Sequence, residues 1–186
     1  MRRTLAAVAA SAMALAAAMP AMGSTFVALS GRQLVADAAA VVEGKVLSTH
    51  SFWGDSGRLI YTEAEVAVDA YLVGEAPAVV TVRVPGGRIG DFFVEAHGFP
   101  QLQAEQRVIL FLQREEGHYT ILGHQQGHFE VVTRLDGVTL AVPQIDEGAT
   151  LFTPRGRLAP APQSVEIDTF RANVRELARS TGRLAQ

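Results

Sequence analysis

Apolar and polar residues alternate most regularly between Ile60 and Leu72. One side of this alternation is apolar apart from Thr62, and the other side carries the acidic residues Glu63, Glu65 and Asp69. A period of two over such a length is typical of a strand with one face in the core and the other in water. The segment therefore predicts one long amphipathic strand.

Other segments have the composition of strands and are separated by residues that favour turns. They are residues 41–52, 79–84, 107–113, 118–123, 128–135 and 139–144. The segment RVILFLQ at 107–113 is continuously apolar, which indicates a strand buried on both faces and covered by a helix or a loop. Asp136 and Gly137 predict a hairpin turn between the last two strands.

A helix is predicted near each end of the chain. Ser30 and Gln33 have the spacing of a capping box in front of a short helix. Near the C-terminus, Asp168 is the predicted cap of a second helix. An apolar stripe at helical spacing follows it, formed by Phe170, Val174, Leu177 and Ala178.

These elements predict a mainly β protein, a small antiparallel Greek-key barrel of the OB-fold type with a short N-terminal helix and a C-terminal helix. A β-sandwich is the alternative. We expect a signal peptide over residues 1–23, the barrel domain over 24–142 and a linker rich in proline and glycine over 143–163. Residues 164–186 are expected to form the C-terminal helix, packed on the barrel.

The segment 1–23 has the pattern of a secretory signal. Arg2 and Arg3 precede an alanine-rich apolar run, and Ala21 and Gly23 place small residues before a cut at Ser24. A retained membrane helix is the alternative, although the run is short and alanine-rich for that role. We therefore expect an exported protein, periplasmic or extracellular, with no membrane span once the signal is removed.

The composition of the chain bears on how the domain is stabilised and on which class of partner it can bind. The 186-residue chain has no cysteine, which excludes disulfides and a lipid anchor on cysteine. Its core must therefore stabilise the exported domain. The net charge of −3 and the absence of a basic stripe argue against nucleic acid as a partner.

The segment Gly54–Gly57 (GDSG) matches the sequence around the nucleophile of trypsin-like proteases. A protease of that kind needs a histidine and an aspartate brought to the serine by two barrels. Only His50 precedes Ser56, and the chain is too short for two barrels. Asp, Ser and Gly together favour a tight turn, so the segment predicts a turn between two strands.

Two other constellations suggest an enzyme. A zinc site formed by His118, His124 and His128 is conceivable because a hairpin could bring two of them together, but exposed turn histidines are the expectation. Glu63 and Glu65 lie on one strand face, but general acid–base catalysis also needs a cleft that raises one pKa. Neither pattern predicts a catalytic residue, a metal ligand or a cofactor.

The segment from Pro85 to Pro100 has an unusual apolar content for a loop. Such a loop either covers the open end of a barrel or forms a contact surface. Aromatic residues and arginine are typical anchors of protein interfaces. The candidate partner-binding residues are Arg88, Ile89, Asp91, Phe92 and Phe93.

Several stretches resemble a group of small secreted bacterial proteins of unassigned function, and also the netrin-like (NTR) and TIMP-like OB-fold modules. The stretches are ADAAAVVEGKVLS, YTEAEVAVDAYLVGEAP, VTVRVPGG, QRVILFL and GHQQGHFEV, between Ala36 and Val132. The resemblance implies a barrel whose rim loops bind a partner, with a secreted protease as one example. TIMPs grip the catalytic zinc of their target with an N-terminal cysteine. Because this chain has no cysteine, that mechanism does not carry over.

The sequence thus predicts an exported, non-catalytic binding module, inhibitor-like or otherwise associated with a protease, that contacts a protein partner through barrel-rim loops. A zinc-dependent hydrolase built on His118, His124 and His128 is one alternative. A passive envelope protein without a specific partner is the other, and the oligomeric state is left open.

Overall fold

The computed structural model describes residues 24–75 and 77–184. The predicted signal peptide over residues 1–23 lies outside this range. The described chain is mainly β, with a closed barrel of five strands and two α-helices. This confirms the predicted fold class.

The strands and helices have the following bounds. The strands are β1 (Thr25–Val27), β2 (Ala40–Trp53), β3 (Ile60–Val73), β4 (Val79–Pro85), β5 (Gly87–Ile89), β6 (Phe92–Val94), β7 (Arg107–Arg114), β8 (Tyr119–Ile121), β9 (His128–Thr133), β10 (Thr139–Pro143), β11 (Thr150–Phe152) and β12 (Val165–Glu166). The α-helices are α1 (Gly31–Asp37) and α2 (Ile167–Ser180), and a 3₁₀-helix spans His124–Gly127.

The barrel closes in the order β2–β3–β4–β8–β7 and back to β2. All of its neighbouring strands are antiparallel except β4 and β8, which run parallel and are joined at Val82 and Tyr119. This five-stranded Greek-key closure is the OB-fold arrangement that the strand pattern predicts, rather than a sandwich of two sheets.

Strand β7 separates two apolar cores. Val108, Leu110 and Leu112 fill the barrel interior. Ile109 and Phe111 point the other way, into a second core that contains the buried residues of both helices. The prediction from the continuous apolar run is therefore confirmed, because successive residues of a strand point to opposite faces.

The helices cover the outside of the barrel wall. Ser30 caps α1 through the predicted capping box, since its hydroxyl accepts from the Gln33 backbone N–H at 3.2 Å. Helix α2 buries Phe170, which packs against Phe111 and Phe129. Glu166, rather than Asp168, caps α2, and its carboxylate accepts the first free N–H groups of the helix.

Beyond the barrel, the sheet continues from β7 through β9 and β10 to β12. Strand β9 pairs with the same edge of β7 as β8 does. The segment 143–163, expected to be a linker, contains β11, which pairs in parallel with β1. Within residues 24–75 and 77–184, no helix has the length and apolar content needed to cross a membrane.

Candidate functional site

The segment 85–100 forms a small hairpin at one end of the barrel. Strands β5 and β6 pair Arg88 with Phe93 and Ile89 with Phe92, and Asp91 lies in the turn between them. The fold thus brings the five predicted partner-binding residues together. Because neighbouring strand residues alternate in direction, Phe92 and Phe93 project from opposite faces of this hairpin.

Hydrogen bonds attach the hairpin to the barrel. The Thr62 hydroxyl donates to the Gly86 carbonyl at 2.8 Å, and the Arg88 backbone N–H donates to the Ser51 hydroxyl at 3.3 Å. Gly87 has a φ of 138°, and a Cβ there would collide with the Thr62 and Ser51 hydroxyls. Glycine at this position therefore allows the chain to leave β4 and turn back close to the barrel.

The aromatic residues of the hairpin are exposed, so they do not cover the barrel as a buried lid. Phe92 is 64% exposed and Phe93 is 53% exposed. The Trp53 ring lies edge-on to Phe92 at 5.7 Å, and the Arg88 guanidinium lies over the Phe93 ring at 5.0 Å. We refer to Trp53, Arg88, Phe92 and Phe93 as the rim cluster.

Trp53 is the member of this cluster that sequence reasoning missed. It ends β2 directly before the tight turn, and it is 41% exposed. A tryptophan at the end of a strand, next to a GDSG turn, was the available signal. Its contact with Phe92 depends on tertiary structure, because 39 positions, from 53 to 92, separate the two residues.

Residues 54–59 form the predicted turn, and Ser56 lies within it. The Gly57 N–H donates to the Gly54 carbonyl at 2.7 Å, and the Gly54 N–H donates to the Leu59 carbonyl at 2.9 Å. The Ser56 hydroxyl is exposed and accepts from the Arg58 N–H at 3.4 Å. The turn interpretation of GDSG is confirmed.

The three histidines considered as zinc ligands lie in two different clefts. His118 and His124 line a cleft of about 450 Å³ beside the junction of β4 and β8, and the His124 ring contacts the Phe99 ring at 4.3 Å, tilted by 58°. His128 lines a separate cleft of about 550 Å³. In the described part of the chain, no group of three or more histidine, aspartate or glutamate side chains could hold a metal ion.

His128 is buried, so the expectation of an exposed turn histidine was wrong for this residue. Its side chain is 1% exposed, and burial lowers its pKa to about 4. His128 begins β9 opposite the buried Leu110, which directs its ring inward. Burial also lowers the pKa of His124, which lies more exposed on the 3₁₀-helix.

Glu63 and Glu65 each have a separate partner. Glu63 forms an ion pair with Arg83 at 2.7 Å, and Glu65 accepts from the Ser48 hydroxyl at 2.9 Å. Arg83 also lies over the Phe52 ring at 5.2 Å on the outer face of the barrel. This arrangement fits a surface ion pair better than a pair of catalytic carboxylates.

The molecule is therefore a small closed β-barrel with an exposed aromatic hairpin on its rim. The chain matches no protein-family model, and no curated protein or solved structure matched it.

Proposed function

We propose that this protein is an exported, non-catalytic binding module that docks to a protein partner through the rim cluster. The observation that carries the proposal is the exposure of two adjacent phenylalanines on a hairpin attached to a closed barrel. Large apolar side chains exposed together are costly in water, and they commonly mark an interaction surface.

The composition of the rim cluster is that of an interface anchor. Tryptophan, arginine and other aromatic residues are enriched among the residues that dominate binding energy. Aromatic side chains also lose little conformational entropy on binding, because they have only two rotatable side-chain bonds. Asp91 at the tip adds a charge opposite to that of Arg88, which suits a partner surface of mixed rather than single charge.

The geometry favours insertion of the hairpin into a groove. Phe92 and Phe93 project from opposite faces, so a flat partner surface would cover only one of them. A groove on the partner would bury both rings, together with Trp53 on the Phe92 side. The hydrogen bonds that Gly86 and Arg88 form with Thr62 and Ser51 hold the hairpin in place before docking, which reduces the entropy lost on docking.

A secreted protease is the partner class that the resemblance to TIMP-like modules suggests. In this proposal, the rim hairpin makes the contact, because the chain has no cysteine to bind a target's zinc. A zinc-dependent hydrolase built on His118, His124 and His128 is less well supported, because the three histidines are divided between two clefts.

Site-specific photocrosslinking tests the proposal. A photoreactive phenylalanine placed at Phe92 should form an adduct with one protein of the producing cell's envelope or medium. The same amino acid placed at Leu135 is the control, because Leu135 is fully exposed on a hairpin of other strands. An adduct of equal yield at both positions would contradict the proposal.

The captured protein is then purified and titrated with the exported chain. We expect the Phe92→Ser/Phe93→Ser double variant to bind at least about tenfold more weakly than wild type, a loss of about 1.4 kcal/mol. Leu135→Ser should bind as wild type does. Unchanged affinity in the double variant would refute the role of the hairpin. If the captured protein is a protease, an inhibition assay shows whether the exported chain lowers its activity.

A further inference from the structure

The cleft of about 550 Å³ that His128 lines is the second candidate site. It lies between the segment 95–106 on one side and β9, the end of β10 and residues 144–146 on the other. This volume lies within the range of sites for small organic molecules. Phe99 and Pro100 contribute to this cleft and also to the neighbouring cleft that His118 and His124 line. The rim-cluster residues are not among those that line it.

His128 is the unusual feature of this cleft. Its side chain is 1% exposed, and neither Nδ1 nor Nε2 has a hydrogen-bonding partner among the described residues. Buried polar groups are almost always hydrogen-bonded, so a buried imidazole without a protein partner needs an explanation. His128 lines the cleft, so a ligand group that binds against its ring and displaces the atoms covering the nitrogens would provide that partner.

The walls of the cleft are acidic. Glu130 lies two residues after His128 on β9, so both side chains project from the same face of the strand. Glu95, in the segment 95–106, and Asp146, after β10, also line the cleft and bring two further carboxylates. Among the described residues, the cleft is lined by these three carboxylates and His97 and by no lysine or arginine, which disfavours an anionic ligand.

Several glutamines add fixed polar groups. The Gln125 side-chain oxygen accepts from the Asp146 N–H at 3.1 Å, and the Gln106 side-chain oxygen accepts from the Gln103 N–H at 3.2 Å. Gln144 donates to the Val142 carbonyl at 3.2 Å. These bonds orient the amides before any ligand arrives, which lowers the entropy cost of binding.

The ligand chemistry follows from these groups. The carboxylates attract a cation, whereas the described residues provide no group of three acidic or histidine side chains able to hold a metal ion. A guanidinium or a polyamine instead carries N–H donors that are separated from one another, so it can bind carboxylates that do not converge on one point. Neutral imidazole supplies one acceptor nitrogen, and the lowered pKa keeps His128 neutral at neutral pH.

We propose that this cleft is a binding site for an organic cation, whose ammonium or guanidinium groups are attracted by the carboxylates of Glu130, Asp146 and Glu95, with His128 as a neutral acceptor. The group comes either from a free amine or from a lysine or arginine side chain of a peptide. The site shares no residue with the rim cluster, so a failed test of the cation site leaves the proposed function unaffected, and the reverse also holds.

Titration of the chain beginning at Ser24 tests this site. The probes are spermidine for a free amine and N-acetyl-lysinamide for a peptide side chain, with N-acetyl-norleucinamide as the uncharged control. We expect at least one cation to bind saturably with a dissociation constant of about 1 mM or tighter. The ring signals of His128 should shift in NMR spectra while those of His118 stay in place. Preference between the two cations identifies the source of the group.

Charge removal is the second test. Glu130→Gln/Asp146→Asn should weaken binding of the cation about tenfold or more, because two carboxylates that face the ligand are lost. Glu116→Gln removes an exposed carboxylate elsewhere and should have no effect. Phe92→Ser/Phe93→Ser should bind the probes as wild type does.

Three results would overturn the cation site. They are the absence of saturable binding of both cations, equal binding of norleucinamide, and unchanged affinity in Glu130→Gln/Asp146→Asn. Far-UV circular dichroism of each variant separates a lost site from a lost fold. Since the substituted carboxylates are incompletely buried, we expect all variants to fold.

Discussion

The guanidinium of Arg171 on α2 binds both carboxylate oxygens of Glu43 on β2, at 2.8 and 2.7 Å. Glu43 is 2% exposed, and Arg107 adds a longer contact of 3.5 Å to the same carboxylate. The pair joins residues 128 positions apart and attaches the C-terminal helix to the barrel wall. A buried carboxylate needs such a partner, because an unpaired charge inside a protein is costly.

Removal of one partner should therefore destabilise the fold. We expect Arg171→Met to lower the free energy of unfolding by about 3 kcal/mol, because Glu43 would keep only its contact with Arg107. Glu43→Leu in the same chain should recover most of this loss, since it removes the unpaired charge. Arg179→Met, which breaks an exposed pair with Glu176, is the control, with an expected change below about 0.5 kcal/mol. Urea denaturation measures all three, and an Arg171→Met variant as stable as Arg179→Met would contradict this role of the pair.

Gly44 in β2 should not tolerate a side chain. A Cβ at this position would collide with the Ala67 carbonyl on the neighbouring strand and lie 3.2 Å from Val66. Because backbone atoms of a paired strand cannot move aside cheaply, we expect Gly44→Ala to cost about 2 kcal/mol or more. Gly31→Ala is the control, since its nearest neighbour would be a Leu177 methyl at 3.4 Å and alanine favours the helix. Thermal unfolding distinguishes the two, and equal midpoints would show that β2 and β3 can separate locally.

The rim cluster should contribute little to stability. We expect Phe92→Ser/Phe93→Ser to change the free energy of unfolding by less than about 1 kcal/mol, because both side chains are already exposed. Trp53 is the chain's one tryptophan, so its fluorescence reports on this surface without labels. Loss of the Phe92 ring should shift Trp53 emission to longer wavelength, and docking of a partner on the wild type should shift it to shorter wavelength. An emission maximum that neither change moves would argue against Trp53 as part of the docking surface.

His128 should make stability depend on pH between about 4 and 6.5. Above pH 6.5 both the folded and the unfolded states hold a neutral imidazole, so stability is at its maximum for this group. As pH falls below 6.5, the unfolded state binds a proton that the folded state binds only near pH 4, and folding loses up to about 3 kcal/mol. His124 acts in the same direction, because burial also lowers its pKa.

The matched variants for this pH effect are His128→Gln and His118→Gln. His128→Gln should flatten the dependence of the unfolding free energy on pH over this range. His118→Gln is the matched substitution at a less buried histidine, whose Nδ1 donates to the Glu116 carbonyl at 2.9 Å. A slope as steep in His128→Gln as in wild type would assign the effect to other groups.

Local patterns determined most of the fold. The alternation in residues 60–72 and the continuous apolar run of residues 107–113 predicted the strands β3 and β7 and their buried faces, because side-chain direction in a strand repeats every two residues. Ser30 and Gln33 likewise predicted the start of α1, because a capping box involves only neighbouring residues. The barrel class followed from the number and length of these strands.

Contacts between distant residues were decided only by the tertiary structure. The sequence identified Arg88, Phe92 and Phe93 as unusual, but their exposure and the contact with Trp53 depend on how the hairpin leaves the barrel. No short-range period in the sequence encodes the burial of His128, the separation of the three histidines or the pairing of Glu43 with Arg171, so none of these was predicted. Periodicity in the sequence shows which way a side chain faces relative to its own strand or helix. A site forms where segments distant in sequence come into contact, and only the folded barrel determines which segments do so.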